Sequence, residues 1–593
     1  MPMGVPQAGS CEMRGSAEEL IQRGVHAIET GNLALWLRRA LLVVGVIAVA
    51  TVYMYNFRGL ATSQAMDQAQ IGRNTAAGYP WYSNFARPRA IGQLRTHGKM
   101  VPRRIWLDTY NAPLPPLIDA IALFPIKSRL SVNPRDLVYI GDKAIALMSI
   151  ALFFASVVVL FFTARRLFDQ KLAFLACGLV LICDMLWQYS LSGLPQMLLL
   201  LLFNATSYAL VGAVEARNGG GRVGPWLVAI GLGFGLMALS HALTVWMFIP
   251  LLIFCAFFFP PRYWAACIVL AAFLIVYAPW LVRNYIVCGN PAGMAIYSVL
   301  DGIGHGEAGW MRRIQFDPGA IGPATFRDKF TSNLISQTGR IFEYLGWSVV
   351  AVAFFTSFLH NFKRRQTAAM RWFILVMWAG AVVGMAVFGV SEEQEVAANQ
   401  LHLLFVPLMT CYGLAYLLVQ WNRLGIDIRL ARLAFISGLF LICGFPMITS
   451  LYNMLLGAPR PVVRYPPYLP PSIAVLNSWM KPEEIIASDM PWAVAWYAGR
   501  RSVWVPDTVK TFNDLGDYDI LGGPLKSLYL TPISGSQNKL GDIVKGEYMD
   551  WAALIQRSGA SEKYPFKWGT VLGDVDCIFF SDRDRTQATT STP

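Results

Sequence analysis

Along the chain, long apolar runs alternate with polar connectors. The first run spans about Ala40 to Phe57, and the second about Asp142 to Thr163, with a long polar region between them. Further runs centre near residues 181, 204, 233, 251, 272, 352, 381, 410 and 443. A helix needs about 20 apolar residues to cross the hydrocarbon core, so the pattern predicts an α-helical polytopic membrane protein with roughly eleven transmembrane helices. Arg38-Arg39 precedes the first run and Arg165-Arg166 ends the second. The connectors Glu215–Arg222, Pro260–Arg262, His360–Arg365 and Asn422–Arg432 are also basic or carry arginine. Positive charge marks the cytoplasmic side, which puts these connectors and the N-terminus inside. The connectors 282–344 and 391–400 then fall outside, and an odd number of spans leaves the C-terminus outside too.

This reading divides the chain into a cytoplasmic tail, 1–37, a first transmembrane helix, 38–57, and a first extracytoplasmic loop, 58–140. A transmembrane bundle, 141–456, carries the outer loop 282–344. Residues 457–593 form an extracytoplasmic domain that is expected to fold alone, behind the proline-rich linker Pro459 to Pro471. Within it, Glu484 to Asp489 reads as a strand, Pro491 to Gly499 as a short helix, and Ser502 to Val505 and Asp576 to Phe580 as further strands. A small α/β domain follows. No repeat of fixed period is present.

Composition agrees with the membrane class. The 593 residues are 55% hydrophobic and 14% charged, with a mean hydropathy of +0.45, whereas a soluble chain carries about 25% charged residues. The net charge of +13 raises nucleic acid as a partner. The basic residues nevertheless sit in short clusters between apolar runs, without the basic-aromatic stripe of a nucleic-acid groove, so no nucleic acid is expected. The polar tail before the first run is too long for the n-region of a cleavable signal peptide. Of the nine cysteines, Cys11 lies in the tail and six lie in apolar runs; only Cys288 and Cys577 fall outside, where a disulfide is conceivable but has no support from spacing. No CxxC or HxxxH metal spacing occurs.

Candidate chemistry gathers on the outer side. Ser63 to Asn74, just past the first run, reads as a helix with Ser63 as N-cap and Gly78 and Pro80 as the stop. Asp67, Gln70 and Asn74 share one face of it. Asp67 is expected near the helix start, where the dipole favours a carboxylate, and on the surface, where its replacement would leave protein level unchanged. Taken alone, that is also how an ordinary surface aspartate looks. Downstream stands Asp108-Thr109-Tyr110-Asn111-Ala112-Pro113-Leu114-Pro115-Pro116-Leu117. Its prolines predict an interfacial helix over Leu117 to Phe124, and Asp108 reads equally as a second acid or a turn residue. Ala278-Pro279-Trp280-Leu281-Val282-Arg283-Asn284-Tyr285, then Gly289-Asn290-Pro291, ends a span at the outer face. Arg283 at that depth suits a phosphate by bidentate hydrogen bonds, or a lipid headgroup by snorkelling. Arg58 and Arg73 carry the same two readings. His241 ends another span, His402 precedes a run containing Pro407, and Glu392, Glu393 and Glu395 read as a solvated acidic loop rather than a cation site.

These stretches resemble GT-C glycosyltransferases, in particular the polytopic group of protein O-mannosyltransferases and aminoarabinose transferases. The likeness lies in Phe57-Arg58-Gly59-Leu60 with the Asp67 helix, in the proline signature after Tyr110, in the Pro-Trp, Arg-Asn and Gly-Asn-Pro pattern of 279–291, and in Ser488-Asp489-Met490-Pro491-Trp492. Gln68 stands where the family often has a second adjacent acid, and His241 where many relatives have Thr-Arg. The resemblance implies transfer of a sugar, with inversion, from a polyprenyl-phosphate donor to a protein, lipid or glycan acceptor, outside the bacterial cytoplasmic membrane. Asp67 would be the general base, Asp108 the second acid, and Arg58, Gln70, Arg73, Asn74, Tyr110, His241, Arg283 and Asn284 would meet substrate. Whether a divalent metal takes part stays open. The alternative function is a transporter or flippase of a lipid-linked sugar. That alternative predicts charged residues in mid-span, where Asp184 is the main exception to a nearly uncharged set.

Overall fold

The computed structural model describes residues 32–99, 106–132, 137–306, 309–390, 396–426, 428–457, 468–517, 520–534, 546–555, 564–572 and 576–586. Cys11, the linker 459–467 and Glu392, Glu393 and Glu395 lie outside the described residues. The described residues divide into two compact units, one within 1–57 and 451–457, the other within 58–450 and 458–593. The first contains helix α1 (Asn32–Tyr55).

The second unit carries the bundle and everything that follows concerns it. Each apolar run is helical. Among the described residues of the whole chain, five helices are long and apolar enough to cross a membrane: Ile140–Leu167, Gln196–Asn218, Arg262–Cys288, Arg365–Phe388 and Arg429–Leu456. The run near 181 is a pair, Gln170–Leu181 and Asp184–Leu191, bent by 59°. The runs near 233, 251 and 352 make shorter apolar helices, and the run near 410 becomes Val406–Arg423. The molecule is thus a multi-pass membrane protein. Small residues let these helices touch. A Cβ on Gly413 would lie 1.8 Å from the Val350 carbonyl oxygen, and one on Gly231 would lie 2.5 Å from that of Val269. Without water to drive apolar surfaces together, close backbone packing is what joins helices in lipid.

Three helices build the first loop: α2 (Ser63–Ala76), α3 (Pro88–Thr96) and α4 (Leu114–Leu123). Thr62, not Ser63, is the N-cap of α2, its hydroxyl accepting from the Ala65 amide at 3.2 Å. α4 begins earlier than the prolines suggested, because Pro115 and Pro116 sit inside its first turn, where no amide donor is needed. α2 packs on α4 through Gly72, where a Cβ would approach the Asp119 Cβ to 2.7 Å. Gly72→Leu should therefore overpack the joint and cost about 1–3 kcal/mol. A lower Tm of the detergent-solubilised protein is the expected reading, and an unchanged Tm would mean that the joint opens freely.

The chain after 468 forms a six-stranded sheet, but not from its own residues alone. The strands are β1 (Tyr82–Ser83), β2 (Phe85–Ala86), β3 (Trp106–Leu107), β4 (Ile485–Ser488), β5 (Arg501–Trp504), β6 (Leu525–Leu530), β7 (Trp568–Leu572) and β8 (Cys577–Ser581). β1 and β3 pair with each other, while the large sheet runs β2-β5-β4-β6-β8-β7. β2, β5, β4 and β6 are parallel, and β8 and β7 close one edge antiparallel. The other edge, β2, belongs to the first loop. Ala86, Ile91 and Trp106 from that loop are buried in the same core as Ile485, Val503 and Leu528. Arg312, from the loop 282–344, is 1% exposed and donates to the carbonyls of Val505, Pro506 and Glu547. The boundary at 457 therefore does not enclose a self-contained core. The predicted strands at 485, 502 and 577 are present. Cys288 and Cys577 are both free thiols, so the conceivable disulfide does not form.

Candidate active site

Asp67 lies one turn into α2, past the first-turn positions that feel the helix dipole. It is 1% exposed, which corrects its expected place on the surface. α2 is held by the loop on one side and the sheet domain on the other, so the face bearing Asp67 and Gln70 points into packed protein. Arg87 Nη2 meets Asp67 Oδ2 at 2.6 Å. Asn111 Nδ2 donates to the same oxygen at 2.8 Å, and Gln70 Nε2 donates to Oδ1 at 3.1 Å. Gln70 is itself fixed, donating to Ser83 Oγ at 2.7 Å and accepting from the Asn84 amide at 2.9 Å.

Arg87 follows directly after β2, so the sheet sets where its guanidinium starts. The Tyr110 ring lies over it at 3.8 Å and the Phe85 ring at 4.3 Å. Burial alone would lower the Arg87 pKa, but the Asp67 carboxylate, with Tyr110 and Asp108, outweighs this and holds it above the ordinary value. Arg87 and Asn111 are functional candidates that sequence reasoning missed. Nothing local marks Arg87, since its meaning comes from a partner twenty residues away on another helix.

Asp108 accepts from the Asn111 amide at 2.8 Å, and so also shapes the turn that aims Asn111 at Asp67. Burial, then the nearby Asp67 carboxylate, pushes its pKa from 3.8 up to about 6. Such a shift costs stability as pH rises. Between the two values the folded state keeps a proton that the unfolded chain has lost, so stability falls across that window and stays low above it. Asp108→Asn should therefore gain in Tm relative to the parent protein between pH 4.5 and pH 7. A pH-independent difference would contradict the assignment.

The other sequence candidates separate into groups. Tyr110 borders the pair. Arg283 donates to the Asp108 carbonyl and, at 2.9 Å, to Asn284 Oδ1, while its buried Nη2 has no partner. Asn284 Nδ2 donates to the Pro291 carbonyl at 3.3 Å, bracing the turn that starts at Gly289. Gly289 has φ 75°, which favours glycine, and a Cβ there would strike the His97 ring at 2.2 Å. His241 Nδ1 accepts from the Leu243 amide at 3.2 Å, the arrangement of a neutral ring rather than a cation. Arg73 reaches the carbonyls of Ala495 and Trp496 at 2.6 and 2.7 Å, and Asn74 reaches that of Tyr82 at 2.9 Å. These two brace the fold. Arg58 is exposed. His402 stacks on Tyr344 and accepts from Trp378 Nε1 at 3.1 Å.

Two cavities meet this cluster. One, of about 160 Å³, is bordered by Arg87, Asp108, Tyr110 and Lys99 among apolar side chains such as Ile91, Leu94 and Met294. The other, of about 50 Å³, is polar and borders Tyr110 and Asn111. Among the described residues no group of three or more His, Cys, Asp or Glu side chains could hold a metal ion. Arg87 already neutralises the Asp67 carboxylate through Oδ2, so the pair as it stands does not fit a metal centre.

Residues 137–282 match the model of the dolichyl-phosphate-mannose-protein mannosyltransferase family. The matched stretch begins after Asp67 and Asp108 and stops just before Arg283. A search of curated protein sequences returns no match. Among solved structures, ArnT from Cupriavidus metallidurans bound to undecaprenyl phosphate is similar, with a TM-score of 0.53 at 13% identity, covering 92% of this chain and 98% of that one. The oligosaccharyltransferase AglB from Archaeoglobus fulgidus, in complex with an inhibitory peptide and a dolichol-phosphate, gives 0.52 at 12% identity, covering 94% and 75%. At such identities the likeness speaks for the fold.

Proposed function

From the premise that this chain has the GT-C fold, we propose that it is an ArnT/PMT-like membrane glycosyltransferase that uses a polyprenyl-phosphate-linked sugar. The observation that carries the reading is the buried Asp67–Arg87 pair at 2.6 Å, with Arg87 bordering one cavity and Asn111, which donates to Asp67, bordering the other. Asp67 Oδ2 is engaged twice, while Oδ1 accepts a single bond, from Gln70. Oδ1 is therefore the oxygen that takes the acceptor proton. The acceptor oxygen or nitrogen attacks the anomeric carbon as the bond from that carbon to the phosphate oxygen breaks. The electron pair leaves with the polyprenyl phosphate, and attack opposite the leaving group inverts the centre. Arg283, with an unpartnered Nη2, is placed to meet the phosphate as its charge grows. Arg87 holds Asp67 in position and Asn111 orients it.

A lipid donor suits a site beside membrane helices, since its tail stays in the bilayer while its phosphate and sugar reach the loop. The acceptor is a protein, lipid or glycan outside the bacterial cytoplasmic membrane, with residues 1–37 inside and 457–593 outside. The decisive experiment reconstitutes the purified protein in vesicles with a sugar-loaded undecaprenyl phosphate and an acceptor extract. Release of bare undecaprenyl phosphate with a glycosylated product is expected. Movement of the intact sugar-lipid between leaflets without release would make the protein a flippase instead.

Orientation is checked separately. Cysteines placed at the two ends of a cysteine-free variant should react with an impermeant maleimide from opposite faces. Labelling of both ends from one face would overturn the odd number of spans.

A further inference from the structure

The polar cavity is lined by Asn111, whose Nδ2 donates to Asp67 Oδ2. Gln64, Asn111, Ser240, His241, Ser298 and Asn399 supply its polar lining, and among the described residues that line it none carries a formal charge. His241 is neutral by the bond it accepts at Nδ1. Of the two carboxylates bonded to Asn111, Asp67 is already matched by Arg87 at 2.6 Å, and Asp108 accepts the Asn111 amide and borders the other cavity instead. Asn111 is 4% exposed, and its Oδ1 is a buried acceptor without a partner, although its Nδ2 is bonded to Asp67. A buried amide oxygen left unbonded is costly, and a ligand hydroxyl would relieve it.

Resting on the lipid-linked donor reading, we infer that this cavity holds the donor sugar and selects an uncharged sugar over an amino sugar. Amides and hydroxyls can each give or take a hydrogen bond, which suits a ring of hydroxyl groups. An ammonium group offers only donors and a charge. Here it would find no free carboxylate, and it would lose its hydration without compensation. A uronic acid fares no better, since no cation lines the cavity. Asn111 lines the cavity and bonds Asp67, so a sugar held by Asn111 Oδ1 is one side chain away from the proposed base.

The test uses the full-length protein in detergent and native mass spectrometry with three lipids: undecaprenyl phosphate alone, the same carrier with mannose, and the same carrier with aminoarabinose. The mannosyl lipid should bind about tenfold tighter than the aminoarabinosyl lipid, the scale of one or two satisfied hydrogen bonds. Asn399→Leu and Ser298→Val should each bring the mannosyl lipid down toward the bare carrier, whose own affinity stays unchanged. Equal or tighter binding of the aminoarabinosyl lipid overturns the inference, as does a preference that survives both substitutions. Binding of the bare carrier with no gain from either sugar also overturns it and leaves the lipid-donor reading standing. Failure to bind any of the three lipids removes both.

Discussion

Asp67→Asn should slow sugar transfer by about a hundredfold or more, the usual scale for removing a general base. The measurement is product formation by the reconstituted protein at matched amounts of folded enzyme. Matching matters, because this substitution also acts on stability. The sequence places Asp67 on the surface, where protein level would not change. In the structure it is 1% exposed and paired with Arg87, which is 7% exposed. Removing one partner of a buried pair leaves an uncompensated charge, at a cost of about 3–5 kcal/mol. Asp67→Asn should therefore melt earlier as well as react more slowly.

The double variant Asp67→Asn, Arg87→Gln separates the two effects. It removes both charges, so much of the stability should return while transfer stays lost. Recovery of transfer in the double variant would remove Asp67 from the chemistry and leave it as a structural partner of Arg87. Asp108→Asn is the second control. It should keep a substantial rate, since Asp108 acts on the Asn111 turn. Loss of transfer in Asp108→Asn beside near-normal transfer in Asp67→Asn would move the base to Asp108.

Residues 468–593 expressed alone should fail to fold cooperatively. The fragment lacks β2, so β5 is left with an open edge along Arg501–Trp504. It lacks Ala86, Ile91 and Trp106 from the core, and Arg312 from the carbonyls of Val505 and Pro506. The loss of a buried tryptophan alone is on the order of 3–5 kcal/mol, a large part of the stability of a small domain. Circular dichroism on heating and limited proteolysis are the measurements. A sharp transition and a protease-resistant core would show that the first loop is dispensable to the sheet. In the intact protein, Trp106→Ala should lower transfer without touching Asp67, because β2 and the residue after it, Arg87, move with the sheet.

The sequence by itself determined the class and most of the elements. Apolar runs near the length of a bilayer crossing dictate helices whatever they pack against, because backbone groups in lipid must bond within their own segment. Each predicted run is helical in the structure, and α2, α4 and the strands at 485, 502 and 577 lie close to where their local signals put them. Asp67 and Asp108 were legible through the family resemblance of the stretches around them, since alone the first reads as a surface aspartate and the second equally as a turn residue. The tertiary structure alone decided what these residues meet. Only folding joins Arg87 to Asp67, turns Asn111 toward the same carboxylate, and commits Arg73 to carbonyls beyond residue 490. β2 is two residues long, too short for any periodicity to announce, and it is a strand because β5 offers it an edge. Burial and long-range pairing arise between segments, so no local pattern encodes them, and here they make the acid, its cation and the sheet a single piece of structure.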